Sequence, residues 1–337
     1  MRRFLRMLVL AAAMVAALAG CKEETKKKTL LPNISGKAGE VIVVINKGEW
    51  EGALGVRVRE IMTQDCPYLP QKEPLYNLVD VAPNAFTNIF KIHRNILIFN
   101  IDSKVVTPGV VYRNDLWAFP QTVISVNAPT PEVALDLYNE HSQKILTTIE
   151  QAERDRVIIN TKKYQEGALN QLVKDQFGGS IYFPSGYTLK KKTKDFVWIS
   201  YETTYTQQAF FVYRYPVEDD KELSKERIVE RRNQILKDNV PGMFENTYMT
   251  TNMVAGVDVQ YLRFRGRDFA HTKGLWEVEN DYMGGPFASH SFYSQDGQYV
   301  IVVESFVYAP KYDKRHYMRQ VESLLFSWEW KEDSTKE

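Results

Sequence analysis

Among the residues whose types and spacing could do chemistry, Glu277, Glu279 and Asp281 come first. Alternating residues on a strand point to one face, so a strand through this stretch would present three carboxylates together, with His290 across the sheet. Such a group would bind a cation or work as a carboxylate pair. The competing expectation is that the row is the wet face of a half-exposed sheet. Trp276 and Tyr282, near Gly284-Gly285, would stack on sugar rings if exposed and pack in a core if not.

Other signatures of catalysis are missing. The five histidines, His93, His141, His271, His290 and His316, include no pair at a metal-ligand spacing such as His-x-x-x-His. In Ser289-His290-Ser291, neighbouring side chains on a strand face opposite ways, which excludes a Ser-His dyad. No Gly-x-Ser-x-Gly elbow, P-loop or dinucleotide fingerprint occurs. Gly178-Gly179 and Gly284-Gly285 read as a helix stop and a strand turn. Lys190, Lys191, Lys192 and Lys194 would meet lipid headgroups or acidic glycans, or guard the edge of a strand. No cofactor and no metal is expected.

The N-terminus reads as an address. Arg2, Arg3 and Arg6 precede the apolar run Leu8 to Leu18 and the small residues Ala19 and Gly20, the layout of a secretory signal over residues 1–20. Leu18-Ala19-Gly20-Cys21 resembles the bacterial lipobox. The resemblance implies cleavage before Cys21, a diacylglyceryl group on its thiol, and a palmitate-type acyl chain on its amino group. Two or three chains, at about 0.8 kcal/mol per buried CH₂, anchor firmly where one does not. Residues 21–38 then form a charged tether, and Lys22-Glu23-Glu24 resembles the export tag of surface lipoproteins in Bacteroidetes. That implies an outer-membrane protein of the cell envelope, exposed at the surface.

Composition narrows the rest. The whole chain holds 43 basic and 42 acidic residues. Without Arg2, Arg3 and Arg6 the balance becomes 40 against 42, a net charge near −2, which excludes a nucleic-acid partner that needs a basic surface. With Cys21 acylated, Cys66 has no partner for an intramolecular disulfide and reads as a small buried hydrophobe.

The elements that must position these residues fall into two domains. Val41-Ile42-Val43-Val44-Ile45 predicts a strand buried on both faces, followed by a helix within residues 50–63. Strands are expected at 75–81, 95–101, 110–113 and 122–127, with a short helix at 84–92. Thr130 caps a long helix with Pro131 in its first turn, broken near 157–160 and stopped at Gly178-Gly179. In the second half, strands at 187–191, 196–203 and 209–215 precede a helix from Ser224 to Pro241. A meander follows at 256–264, 275–280, 287–292 and 299–308, turning at Asp296-Gly297, and a helix over 314–326 closes the fold. The domains are 39–179, α/β and ending in the long helix, and 180–330, with a polar tail at 331–337.

The fold class is therefore α+β: two domains, each an antiparallel or mixed sheet covered by helices, joined by a long helix. Pro184 to Tyr187 opening a strand, and a helix before Phe326-Ser327-Trp328, resemble the Mog1/PsbP-type fold. The lipobox, Thr130-Pro131-Glu132 and the Gly284-Gly285-Pro286 meander resemble the DUF4837 family of Bacteroidetes lipoproteins, of unknown function. The reading that follows is a membrane-anchored, non-catalytic binding or assembly module with an envelope protein or glycan as partner. The alternative is an envelope hydrolase or carbohydrate-binding protein with its site at Glu277, Glu279, Asp281 and His290.

Overall fold

Four consecutive β-branched residues, Val41 to Val44, follow Glu40 in the first strand, β1 (Glu40–Val44), and the sheet around it explains the run. After α1 (Lys47–Glu51) and α2 (Ala53–Met62) come β2 (Asn77–Val81), α3 (Asn88–Lys91), β3 (Asn95–Ile101), β4 (Gly109–Asn114) and β5 (Thr122–Ala128). The strand order is β2-β1-β3-β5-β4, parallel except for β4 against β5. Val41 and Val43 pack under α2 and the helix after β5, while Ile42 and Val44 pack against Phe86, Phe90 and Trp117. Both faces of β1 are covered, which is why no polar residue interrupts it. The computed structural model describes residues 30–331. The signal, the Cys21 motif and nearly all of the polar tail lie outside the described residues, as does the tether up to residue 29.

The long helix is α4 (Pro131–Lys163), capped by the Thr130 hydroxyl, which accepts from the Val133 N–H at 3.4 Å. It runs unbroken through residues 157–160. The interruption falls instead at Tyr164 to Glu166, before α5 (Gly167–Phe177). Val157-Ile158-Ile159 looks like a helix breaker by intrinsic propensity, but Ile158 is buried against the second core and packing overrides the preference. Gly178, at φ +77°, ends α5 in the left-handed region that the Gly-Gly pair predicts.

The second half supplies β6 (Gly179–Ser180), β7 (Thr188–Lys192), β8 (Phe196–Glu202), β9 (Gln207–Pro216), α6 (Lys225–Asn239), β10 (Met249–Thr251), β11 (Val257–Phe264), β12 (Arg267–Val278), β13 (Gly284–Tyr293), β14 (Tyr299–Tyr308), α7 (Arg315–Leu325) and β15 (Glu329–Trp330). Its large sheet has the order β10-β12-β13-β14-β9-β8-β7, with β11 also paired to β12, and is antiparallel throughout. Alternation sorts its residues cleanly. Val197, Ile199, Phe210, Val212, Ile301 and Val303 face α5 and α7; Phe196, Phe211, Tyr213, Val300, Val302 and Phe306 face α6. Residues from Asn33 onward form one compact unit that holds both sheets. The fold is α+β, as the order of elements predicts, with two large sheets and a small antiparallel pair of β6 with β15.

Strand β12 departs from expectation. The sequence places a strand only from Leu275, whereas β12 begins at Arg267, eight residues earlier. Residues 267–274 are largely polar and lack the β-branched signature of a strand, so their pairing with β11 and β13 is a tertiary effect.

Candidate functional site

The early part of β12 carries the chemistry. His271 and Lys273 alternate onto the face that looks toward α7, directly opposite Gln260 and Asp258 of β11. One turn apart on α4, Glu150 and Arg154 share a stripe with Gln143, Leu146 and Thr147. From α7 come Met318, Arg319 and Glu322, and the loop before β2 adds Cys66, Tyr68, Leu69, Leu75 and Tyr76. These residues line a cleft of about 620 Å³ between the two halves of the fold. A shallower groove of about 530 Å³ lies along α4 beside the 114–122 loop, but its Arg156 is already held by the carbonyls of Arg94 and Pro120 and by Glu153.

A helix end fixes the wall of the cleft. No side chain of α7's own N-terminal segment caps it. Glu73, from the loop of the first sheet, does so instead: its carboxylate accepts the backbone N–H of Lys314 at 2.7 Å and of Arg315 at 2.9 Å. A carboxylate at a helix N-terminus satisfies orphan donors and matches the helix dipole. Gln71 accepts from Lys314 Nζ at 2.6 Å, and Arg315 donates to the Pro74 carbonyl. Arg319 Nη2 donates to the Leu75 carbonyl at 3.0 Å.

Inside the cleft the charges are mostly paired. Glu322 takes Lys273 at 2.6 Å and His271 Nε2 at 3.3 Å. Burial alone would push the Glu322 carboxyl up, but Lys273 and His271 together hold it below the usual carboxylate range. Burial would lower Lys273, and Glu322 overrides this and raises it. Glu150 takes Arg319 at 3.3 Å and the Tyr76 hydroxyl at 2.9 Å. Burial lowers His271, only partly offset by Glu322, so its ring is neutral at pH 7. Burial pushes the Cys66 thiol up to about 11, which removes the thiolate that nucleophilic chemistry needs. Arg154 differs: it stacks at 3.6 Å on the Phe326 ring and donates to Gln151 Oε1 at 2.9 Å, and among the described residues it has no ion-pair partner.

The residues favoured by sequence do not converge. Glu277 ends up half-buried near the end of β12, accepting from Asn252 Nδ2 at 2.6 Å. Glu279 is exposed beyond the strand's last residue, and Asp281 sits in the following turn, accepting from the Tyr282 N–H at 2.6 Å. The alternation that would align them stops at Val278. His290 is fully buried and pairs in register with His271, whereas Glu277 pairs with Gly284. Six residues of strand separate the two positions, roughly 20 Å at 3.3 Å per residue. Among the described residues no group of three or more His, Cys, Asp or Glu could hold a metal.

The remaining candidates resolve individually. His290 is sandwiched between Phe269, at 4.1 Å, and Phe326, at 4.5 Å. Trp276 is buried, donating to the Val307 carbonyl at 3.2 Å, and Tyr282 is left alone on the surface. The lysines 190–192 lie on β7, the edge strand of the large sheet, where Lys190 pairs with Glu202 at 3.1 Å. Cys66 is a half-buried free thiol. Glu150, Arg154, Lys273 and Glu322 gave no signal in the sequence beyond their charge. The alternation of Phe269, His271 and Lys273 could have exposed half of the site had β12 been traced to its true start.

Residues 166–327 match the family model of the domain of unknown function DUF4837, and residues 34–162 match a second domain of unknown function, DUF8532. No curated protein matches the chain. Among solved structures, the Saccharomyces cerevisiae Ran-binding protein Mog1p is similar over 45% of this chain and 90% of its own, at 11% identity and a TM-score of 0.32. A Bacteroides thetaiotaomicron protein is similar over 47% of this chain and 46% of its own, at 11% identity and a TM-score of 0.26. The human StarD13 lipid transfer and protein localization domain aligns with 48% of this chain and 94% of its own, at 10% identity and a TM-score of 0.22.

Proposed function

Taking the chain as one that pairs a DUF8532 domain with a DUF4837 domain, we propose that it is a lipid-anchored, non-catalytic binding module of the cell envelope, with the inter-sheet cleft as its binding site. The observation that carries the binding half of this reading is the state of the cleft's titratable groups. Glu322 is held ionised by Lys273, His271 is held neutral by burial, and the Cys66 thiol is pushed up to about 11. A general acid or base works best with a pKa near the working pH, and a nucleophile needs an activated form. Glu322 is thus a fixed charge, while His271 and Cys66 are held uncharged with no activated form, an arrangement that suits recognition rather than proton or acyl transfer.

The anchoring half rests on Leu18-Ala19-Gly20-Cys21. Among the described residues no helix is long and apolar enough to cross a membrane, so an acylated cysteine is the device by which the sequence would hold the body at a bilayer. The export tag Lys22-Glu23-Glu24 points outward from the outer membrane, toward an envelope protein or a glycan.

The two halves are tested separately. Cys21→Ser should move the protein from the membrane fraction to the soluble fraction of lysed cells; undiminished membrane association of the variant would remove the anchor. Crosslinking in intact cells followed by mass spectrometry should return one reproducible envelope partner or ligand attached to residues of the cleft wall. Crosslinks spread over the surface with none at the cleft would remove the binding site.

A further inference from the structure

Pairing off the cleft's charges leaves Arg154, Arg315 and Asp258 without an ion-pair partner among the described residues. Arg315 Nη1 is spent on the Pro74 carbonyl and Asn77 Oδ1, and Asp258 accepts from Gln260, so Arg154 is the cation left with most of its donors open. Glu322 is taken by Lys273 and His271, and Glu150 by Arg319 and Tyr76. A guanidinium carries five N–H donors in a planar fork. In Arg154 the one engaged within the described residues is Nη1, donating to Gln151. Its Cζ is held 3.6 Å from the centre of the Phe326 ring, a contact that anchors the guanidinium without consuming its donors. Among the described residues no carboxylate pairs with this charge, whose contact with the fold is the Phe326 ring face and Gln151.

We propose that the cleft takes an amphiphilic oxyanion, a carboxylate or phosphate on an apolar body, with Arg154 receiving the anionic head. The proposal rests on the reading of the cleft as a binding site and names its ligand class. A planar fork suits the bidentate geometry of carboxylate and phosphate oxygens. Leu146, Leu262, Met318 and Phe326 line the same cleft and supply an apolar wall for the body of the ligand. Its volume of about 620 Å³ falls within the range of small-molecule sites. Asp258 also lines the cleft, with Gln260 Nε2 donating to it at 2.9 Å, and its negative charge selects against a polyanion. The head is therefore a single anionic group.

The test is isothermal titration calorimetry on the full chain carrying Cys21→Ser, with decanoate, decyl phosphate and decanol as probes. At least one of the two oxyanions should bind at least tenfold more tightly than decanol, and whichever binds better identifies the head as carboxylate or phosphate. Arg154→Gln should weaken that oxyanion at least tenfold while leaving decanol unchanged. Arg154→Lys, which keeps the charge and loses the fork, should fall between. An unchanged melting temperature in both variants guards against unfolding. Equal affinity for decanol and the oxyanions, full binding by Arg154→Gln, or no heat with any probe would each overturn the proposal. Cleft crosslinks in cells would survive that failure, so the ligand class and the binding site are judged apart.

Discussion

At the scale of single residues, the molecule spends buried charge in two contrasting ways. On the α6 face of the large sheet, Arg232 and Glu304 form a fully buried bidentate pair at 2.9 and 2.7 Å, with Thr251 Oγ1 accepting a third hydrogen bond at 2.7 Å. Breaking such a pair strands one charge in the core and costs about 3–5 kcal/mol. Glu304→Ala should therefore lower the unfolding free energy by roughly that amount in urea titration. A loss below about 1 kcal/mol would show that the pair is solvated. On the opposite face, His290 has no such partner. Burial holds it well below its ordinary value of 6.5, and the nearby Arg267 and Arg154 charges push the same way. A base whose folded pKa is depressed binds more protons unfolded than folded once the pH drops below 6.5. Stability is then complete above that pH and is lost as pH falls, at about 1.4 kcal/mol per pH unit per group. His290→Leu should flatten the fall in melting temperature between pH 7 and 5. An identical pH profile for the variant would remove His290 from the account. None of these pairings could be read from the sequence, where Glu304 sits in an apolar strand and Arg232 in an Arg-rich helix with nothing to mark them as partners.

Among the elements, sequence periodicity served where burial was simple and failed where tertiary partners decided. The β-branched run of β1 and the Thr130-Pro131 start of α4 announce themselves because local chemistry and final environment agree. The first half of β12 does not, since its strand conformation is imposed by β11 and β13 on residues of weak intrinsic preference. The acidic row does not align on one face for the related reason that β12 stops at Val278, so alternation no longer governs Glu279 and Asp281. The N-terminus of α7 illustrates a third case, a cap supplied from about 240 residues away by Glu73. Capping residues contribute about 1 kcal/mol each, and a carboxylate accepting two backbone N–H groups sits at the upper end of the 0.5–2 kcal/mol range. Glu73→Ala should cost about that much in thermal unfolding. It should also raise amide hydrogen exchange in the first turn of α7 and in the 64–76 loop together. Exchange that rose in one and not the other would mean that Glu73 does not couple them.

For the molecule as a whole, the two family matches, residues 34–162 and 166–327, meet close to the junction of α4 and α5. The cleft draws on both matched regions: Cys66, Glu150 and Arg154 from the first, His271, Lys273 and Glu322 from the second. This division explains why a sequence search for local motifs misses the site, because no segment holds more than a fragment of it. Cys66 offers a direct probe of whether the cleft is occupied in the cell. The chain has two cysteines, and if Cys21 is acylated as proposed, Cys66 is the single alkylatable thiol. Its pKa of about 11 makes alkylation slow enough to time at pH 8.5. The decisive measurement compares the alkylation rate of Cys66 in intact envelopes with that of the purified protein after exhaustive dialysis. The account predicts several-fold slower labelling in envelopes, restored to the purified rate by washing the ligand out; equal rates from the start would contradict it.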